Sequence, residues 1–164
     1  MKNIMIPILV IVVCLSAGCN KDDYISNHIG VTFTKIDTET ETNYILDGNI
    51  VYDNEIVGYD STQHIFLLSE AAGERIRSEE YPVSPTPFAI AVDGDLIYIA
   101  NFIPGYSSIS CEDCITIEPY TYDNKYRVIL GYPSSNLFSG IDPRNDERII
   151  LRFKRDNRLI DIEK

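Results

Sequence analysis

Residues Phe88 to Asn101 read Phe-Ala-Ile-Ala-Val-Asp-Gly-Asp-Leu-Ile-Tyr-Ile-Ala-Asn, two apolar runs around Asp93-Gly94. Asp-Gly is a preferred two-residue hairpin turn, because both central residues must take positive φ. Closing the turn at Val92 and Asp95 predicts Ile90 opposite Ile97 and Phe88 opposite Ile99. One face is then Phe88, Ile90, Val92, Ile97 and Ile99; the other is Ala89, Ala91, Leu96, Tyr98 and Ala100. Both are apolar, so the hairpin is expected at the centre of the fold, covered on both sides.

Other segments agree with a β-rich chain. Ile115 and Ile117 alternate with polar residues, Tyr120 and Tyr122 roughly continue the pattern past Pro119, and Asp123-Asn124-Lys125 supplies a turn. Tyr126, Val128, Leu130 and Tyr132 then return on one face, which predicts a second hairpin from Ile115 to about Tyr132. Strands are expected at 31–36, 50–52 and 64–68, and a short helix at 69–78 that Gly73 weakens. The tail reads two ways. Asp142-Pro143 resembles a helix start and Ile149, Ile150 and Phe153 share a helical face, with Arg152, Lys154 and Arg155 near its C-terminus. The same stretch also alternates as a strand, with Asp156-Asn157 as a turn; the helix is the preferred reading. The expected fold is mostly β (α+β), an antiparallel sheet or β-sandwich with a central Asp-Gly hairpin and a short C-terminal helix.

The 164 residues suffice for one domain. The Pro82–Pro87 stretch is too short to divide it and suits a connection between elements. With 14 Lys+Arg against 25 Asp+Glu, the formal charge is −11. No positive stripe exists to displace counterions from phosphates, so nucleic acid is not an expected partner.

The start of the chain has a different character. Lys2 is followed by an apolar run from Ile4 to Leu15, then Ser16-Ala17-Gly18-Cys19. A positive start, a short apolar stretch and a small-residue end have the layout of a secretory signal. The run falls short of the roughly 20 residues that cross a bilayer as a permanent helix. Leu15-Ser16-Ala17-Gly18-Cys19 resembles the lipobox of bacterial lipoproteins, although Ser16 stands where that family usually has Leu, Val or Ile. The resemblance implies a diacylglyceryl group on the Cys19 sulfur and cleavage between Gly18 and Cys19. Asn20-Lys21-Asp22-Asp23 resembles the export signal of Bacteroidota surface lipoproteins, a Lys and two acids just after the lipidated cysteine. The implied organisation is a signal peptide at 1–18, a lipidated tether at 19–29 and one globular domain at 30–164. The implied location is the outer membrane, lipid-anchored and exposed at the cell surface.

Two or three acyl chains hold a protein on a membrane almost permanently, at about 0.8 kcal/mol per buried methylene. Cleavage removes a single charged residue, Lys2, so the mature body is still more acidic. Such a body is expected to stand off an anionic surface within a Debye length of roughly 8–10 Å.

Candidate chemistry is sparse. Cys111-Glu112-Asp113-Cys114 holds the only thiols left once Cys14 is removed and Cys19 acylated. Outside the cytoplasm such a pair is more often a disulfide than a metal or redox site, and the two intervening acids would raise a thiol pKa. His28 lies in the tether and His64 at a strand start, with no G-x-S-x-G and no local triad pattern. The acidic cluster at 142–147 lacks EF-hand spacing. No catalytic residue, metal ligand or cofactor site is assigned. Asp60-Ser61-Thr62 resembles a short O-glycosylation motif of Bacteroidota envelope proteins, and equally suits a polar turn. Among the eleven tyrosines, Tyr106 falls in a loop, Ile103 to Ser110, whose Tyr106, Ser107 and Ser108 have a composition suited to recognition. The leading expectation is a non-catalytic binding module for a glycan or protein partner. A carboxylate-based envelope hydrolase and an accessory subunit of an outer-membrane complex are the alternatives.

Overall fold

A computed structural model describes residues 30–40 and 43–163. Residues 1–29 lie outside that range, and with them the signal, Gly18, Cys19, Lys21, Asp22, Asp23 and His28. The described chain is mostly β. Its strands are β1 (Val31–Thr40), β2 (Asn43–Val51), β3 (Ile56–Asp60), β4 (Ile65–Leu68), β5 (Thr86–Val92), β6 (Asp95–Phe102), β7 (Cys111–Ile117), β8 (Lys125–Arg127) and β9 (Ile129–Tyr132). Two helices, α1 (Glu70–Ser78) and α2 (Glu147–Arg155), complete it. Six strands form one sheet in the order β2-β1-β5-β6-β7-β9, antiparallel except for β6 and β7, and a smaller sheet runs β3-β4-β8.

The β5–β6 hairpin lies in the middle of the large sheet, as its composition demands. Asp93 and Gly94 take φ of 52° and 87°, and Val92 pairs with Asp95. Beyond the turn the expected register fails. A bulge after the Ala91–Leu96 pair sets Ile90 opposite Tyr98 and Phe88 opposite Ala100, not opposite Ile97 and Ile99. One extra residue reverses which side chains face the core. Tyr98, Ala100 and Phe102 therefore join Phe88, Ile90 and Val92 in the core, while Ile97 and Ile99 are half-buried. The gain is aromatic packing, for Phe102 stacks on Phe88 at 4.2 Å between ring centroids. On the other face Ala89 and Ala91 are fully buried, but Leu96 is exposed, so two-sided coverage holds for β5 and only partly for β6.

The second expected hairpin is also corrected. β7 does pair with β9, with Ile115 opposite Leu130. Between them the chain leaves the large sheet at Pro119 and contributes β8 to the small one, where Tyr126 pairs with Phe66. Pro119 cannot donate to a ladder, which ends β7 before Tyr120 and Tyr122. The excursion is fastened by Arg77, which donates to the Thr121 carbonyl at 3.2 Å and to Asn124 Oδ1 at 2.6 Å. Gly73, which read as a weakness of α1, is fully packed: a Cβ there would collide with the Asn124 side chain. Ser69 caps α1 by accepting from the Ala72 N–H at 3.3 Å.

The tail combines both readings. α2 is a helix, but its cap is Asp146, whose carboxylate accepts from the Arg148 N–H at 3.0 Å, and not Asp142. Asp142 makes the same contacts with Arg144, to its N–H at 3.0 Å and its guanidinium at 2.8 and 2.9 Å, but heads only a turn, closed by the Asp146 N–H on the Pro143 carbonyl at 3.0 Å. Asn157, at φ 53°, then reverses the chain so that Leu159 bridges to Tyr59 of β3. One apolar core joins all these parts, with Phe33 of β1 against Phe66 of β4 at 5.1 Å and Tyr59 stacked on Phe153 of α2 at 5.5 Å.

Candidate functional site

Three tyrosines gather where β5 begins and β6 ends. Tyr106 lies in the loop after β6, Tyr120 in the excursion after β7, and Tyr81 in the connection before β5. The Tyr106 and Tyr120 rings stack with planes 19° apart and centroids 6.2 Å apart. Tyr120 meets Tyr81 edge-on at 5.8 Å, and Tyr81 leans on Phe102 at 5.1 Å. The ledge is thus the outer end of a continuous row of rings that continues through Phe88, Phe33, Phe66 and Tyr59 to Phe153. Each such pair adds about 0.5–1.5 kcal/mol beyond its buried area.

Polar groups fix the ledge. The Tyr120 hydroxyl donates to the Glu79 carbonyl and accepts from the Tyr81 N–H, both at 3.2 Å. The Tyr106 hydroxyl lies 3.4 Å from the Tyr81 carbonyl. Ser107 turns inward: its hydroxyl donates to the Val83 carbonyl at 2.7 Å, and its own carbonyl accepts from the Tyr132 hydroxyl at 3.0 Å. Of the three residues singled out in this loop, Tyr106 at 67% exposure and Ser108 face solvent, whereas Ser107 holds the loop in place. Burial pushes the Tyr81 phenol well above its ordinary range.

A groove of about 360 Å³ opens beside Tyr81, floored by Pro82, Pro87 and Phe102 and rimmed by Lys35, Arg75, Glu79 and Glu80. Its size suits a small ligand or one or two rings of a larger one. A larger open concavity of about 890 Å³ lies elsewhere, lined in part by Gln63, Lys125, Arg127 and Arg144. Its charges are mostly engaged, Arg144 with Asp142 and the Val128 carbonyl and Lys125 with Asp123. It has no aromatic residue in its lining, whereas the smaller groove has Tyr81, next to Tyr120 and Tyr106, and is the better candidate.

No family model, curated protein or solved structure matches the chain.

The remaining candidates take structural positions. Cys111 and Cys114 are joined by a disulfide with Cα atoms 5.8 Å apart, which closes a bulge where four steps of β7 face two of β9. Asp113 within it accepts from the Ser139 N–H and hydroxyl at 2.7 and 3.0 Å, and those bonds lower its carboxyl pKa. His64 sits in the β3–β4 turn at φ 56°, with Nδ1 3.5 Å from the Tyr59 hydroxyl. Burial, then the Arg144 charge, push its pKa down. Asp60 is fully buried. Burial alone would raise its carboxyl, but donations from the N–H groups of Ile162, Gln63 and Thr62 and from the Thr62 hydroxyl hold it well below the usual range. The Asp60-Ser61-Thr62 triplet is accordingly a turn built on Asp60. The carboxyls of Asp60, Asp113, Asp142, Asp146 and Asp156 are all held below their ordinary range, each by hydrogen bonds from neighbouring N–H, hydroxyl or guanidinium groups. Sequence reasoning reached Tyr106 but not Tyr81 and Tyr120, which come from two other connections. Pro119, which ejects Tyr120 from its strand, was the available signal.

Proposed function

We propose that this chain is a lipid-anchored outer-membrane lipoprotein, exposed at the cell surface, that binds a glycan on the Tyr106–Tyr120–Tyr81 ledge. The observation that carries the binding reading is the exposed Tyr106 ring stacked on half-buried Tyr120, which meets Tyr81 in the wall of a groove of about 360 Å³. Flat aromatic faces with polar edges suit the apolar faces and hydroxyl rims of sugar rings. The rings are preorganised by hydrogen bonds to the 79–83 backbone, so little side-chain entropy is lost on binding. A protein partner would need a patch on the order of 800 Å² per side; two rings and a narrow groove match a shorter contact. Support for the anchor is the resemblance of residues 15–23 to a lipobox and surface-export signal.

The test is affinity electrophoresis and calorimetry of the mature protein against a panel of envelope and dietary polysaccharides. At least one should bind, and Tyr106→Ala should weaken that binding tenfold or more, while Tyr122→Ala, at a still more exposed tyrosine outside the ring row, should not. Equal effects of the two substitutions would refute the ledge as the site.

A further inference from the structure

The ledge and the point where the tether enters lie at opposite ends of the central hairpin. At the turn end the Gly30 N–H donates to the Asp93 carboxylate at 2.8 Å, and the Asp93 N–H donates back to the Gly30 carbonyl at 2.9 Å. From that turn β6 runs eight residues to Phe102, about 25 Å, to reach the loop that carries Tyr106. Ten residues separate Cys19 from Gly30. A segment of that length spans at most about 35–40 Å. Rooted at the turn end, it holds that end of the hairpin, not the ledge, within this reach of the surface that carries the lipid.

That end carries α2. Arg152 of α2 bonds Asp93 at 3.0 Å, which fixes the helix beside the tether root. Its outer face presents Leu151, 55% exposed, with Arg148 and Arg155 at helical spacing on either side and Lys154 next to it. Much of the acid at this end is engaged: Asp146 holds Arg148, and Asp156 holds Arg152, Arg155 and Arg158. Asp93, Asp95 and Glu147 are the exposed acids there, with Asp93 bonded to Arg152. On a chain of formal charge −11 this is a nearly balanced face with an exposed leucine among long cationic side chains, a pattern that suits a headgroup layer.

We infer that the outer face of α2, with Leu151 at its centre, rests on the headgroups of the leaflet that holds the lipid, so that the tyrosine ledge points away from the membrane. The inference depends on the lipid-anchor reading above. An acidic body is repelled as a whole, but its root end is the least repelled and the tether holds that end closest.

The full lipidated protein, carrying a fluorophore on Leu151→Cys or, in a second sample, on Tyr106→Cys, is reconstituted into phosphatidylcholine vesicles with 30% phosphatidylglycerol. Headgroup-quencher lipids should quench the 151 probe at least threefold more than the 106 probe, and Lys154→Glu with Arg155→Glu should at least halve that excess. Both labelled sites are exposed, and unchanged circular dichroism confirms the fold. Equal, weak quenching at both sites of protein that floats with the vesicles would overturn the orientation alone. Failure to float would overturn the anchor and the orientation with it. Shielding of the 151 probe that grows with protein concentration in lipid-free detergent would assign the face to a second copy and overturn the proposal.

Discussion

The guanidinium of Arg158 grips both carboxylate oxygens of Asp53, 105 positions earlier, at 2.8 and 2.9 Å. The same side chain donates to the carbonyls of Asp53 and Ile56 and lies over the Phe153 ring at 5.1 Å. Asp53 also accepts from the Val31 N–H at 2.7 Å, so one pair ties the start of β1 to the end of the chain. Both side chains are 18% exposed. Arg158→Ala should cost about 2–4 kcal/mol in denaturant unfolding, because it leaves a mostly buried carboxylate with only the Val31 N–H and the more distant Arg152, at 3.7 Å. A loss under 0.5 kcal/mol would show that the clasp is not a stability element.

Asp60 makes stability depend on acid. Its folded-state pKa is depressed, so its contribution is complete above the unfolded value of about 3.9 and is lost as pH falls below that. Asp60→Asn should destabilise by about 2–3 kcal/mol at pH 7, and its melting temperature should fall less steeply than that of the parent below pH 4. Parallel acid limbs for the two proteins would contradict the assignment.

Tyr98 is buried with a hydroxyl that finds no hydrogen-bond partner among the described residues. Tyr98→Phe removes an unsatisfied polar atom and keeps the ring, and should leave stability unchanged or raise it by about 1 kcal/mol. A loss above 1 kcal/mol in a chemical melt would mean that the hydroxyl is satisfied.

The ledge tyrosines should separate binding from folding. Tyr120 is half-buried and bonded to the 79–81 backbone, so Tyr120→Ala should lower both glycan affinity and stability, the latter by about 2–3 kcal/mol. Tyr106→Ala, at an exposed site, should lower affinity with a stability change within about 1 kcal/mol. Calorimetric titration and melting of the two variants check this together.

Local chemistry made the hairpin turn legible, since Asp93 and Gly94 need positive φ whatever surrounds them. The bulge one step later was not, because it answers to packing of Phe102 on Phe88, a contact that no local pattern encodes. Ser69 and α1 were readable for the same local reason. The start of α2 was misplaced because Asp142 and Asp146 make the same contacts, each accepting from the N–H and the guanidinium of the arginine two residues on, so no local signal separates the turn from the helix start. The split of β7, β8 and β9 between two sheets depends on Arg77 and Asn124 meeting across 47 positions. The ledge needed that same assembly, so the sequence could offer Tyr106 but not its two companions.

The proposed function stands on Cys19 becoming a lipid graft that moors a binding domain. Mass spectrometry of the amino-terminal peptide, from protein purified out of its native envelope, reads that chemistry. The chain should begin at Cys19 and carry a diacylglyceryl thioether, with further mass if the amine is acylated. A peptide that begins at unmodified Met1, or one cut elsewhere and free of acyl groups, would contradict it.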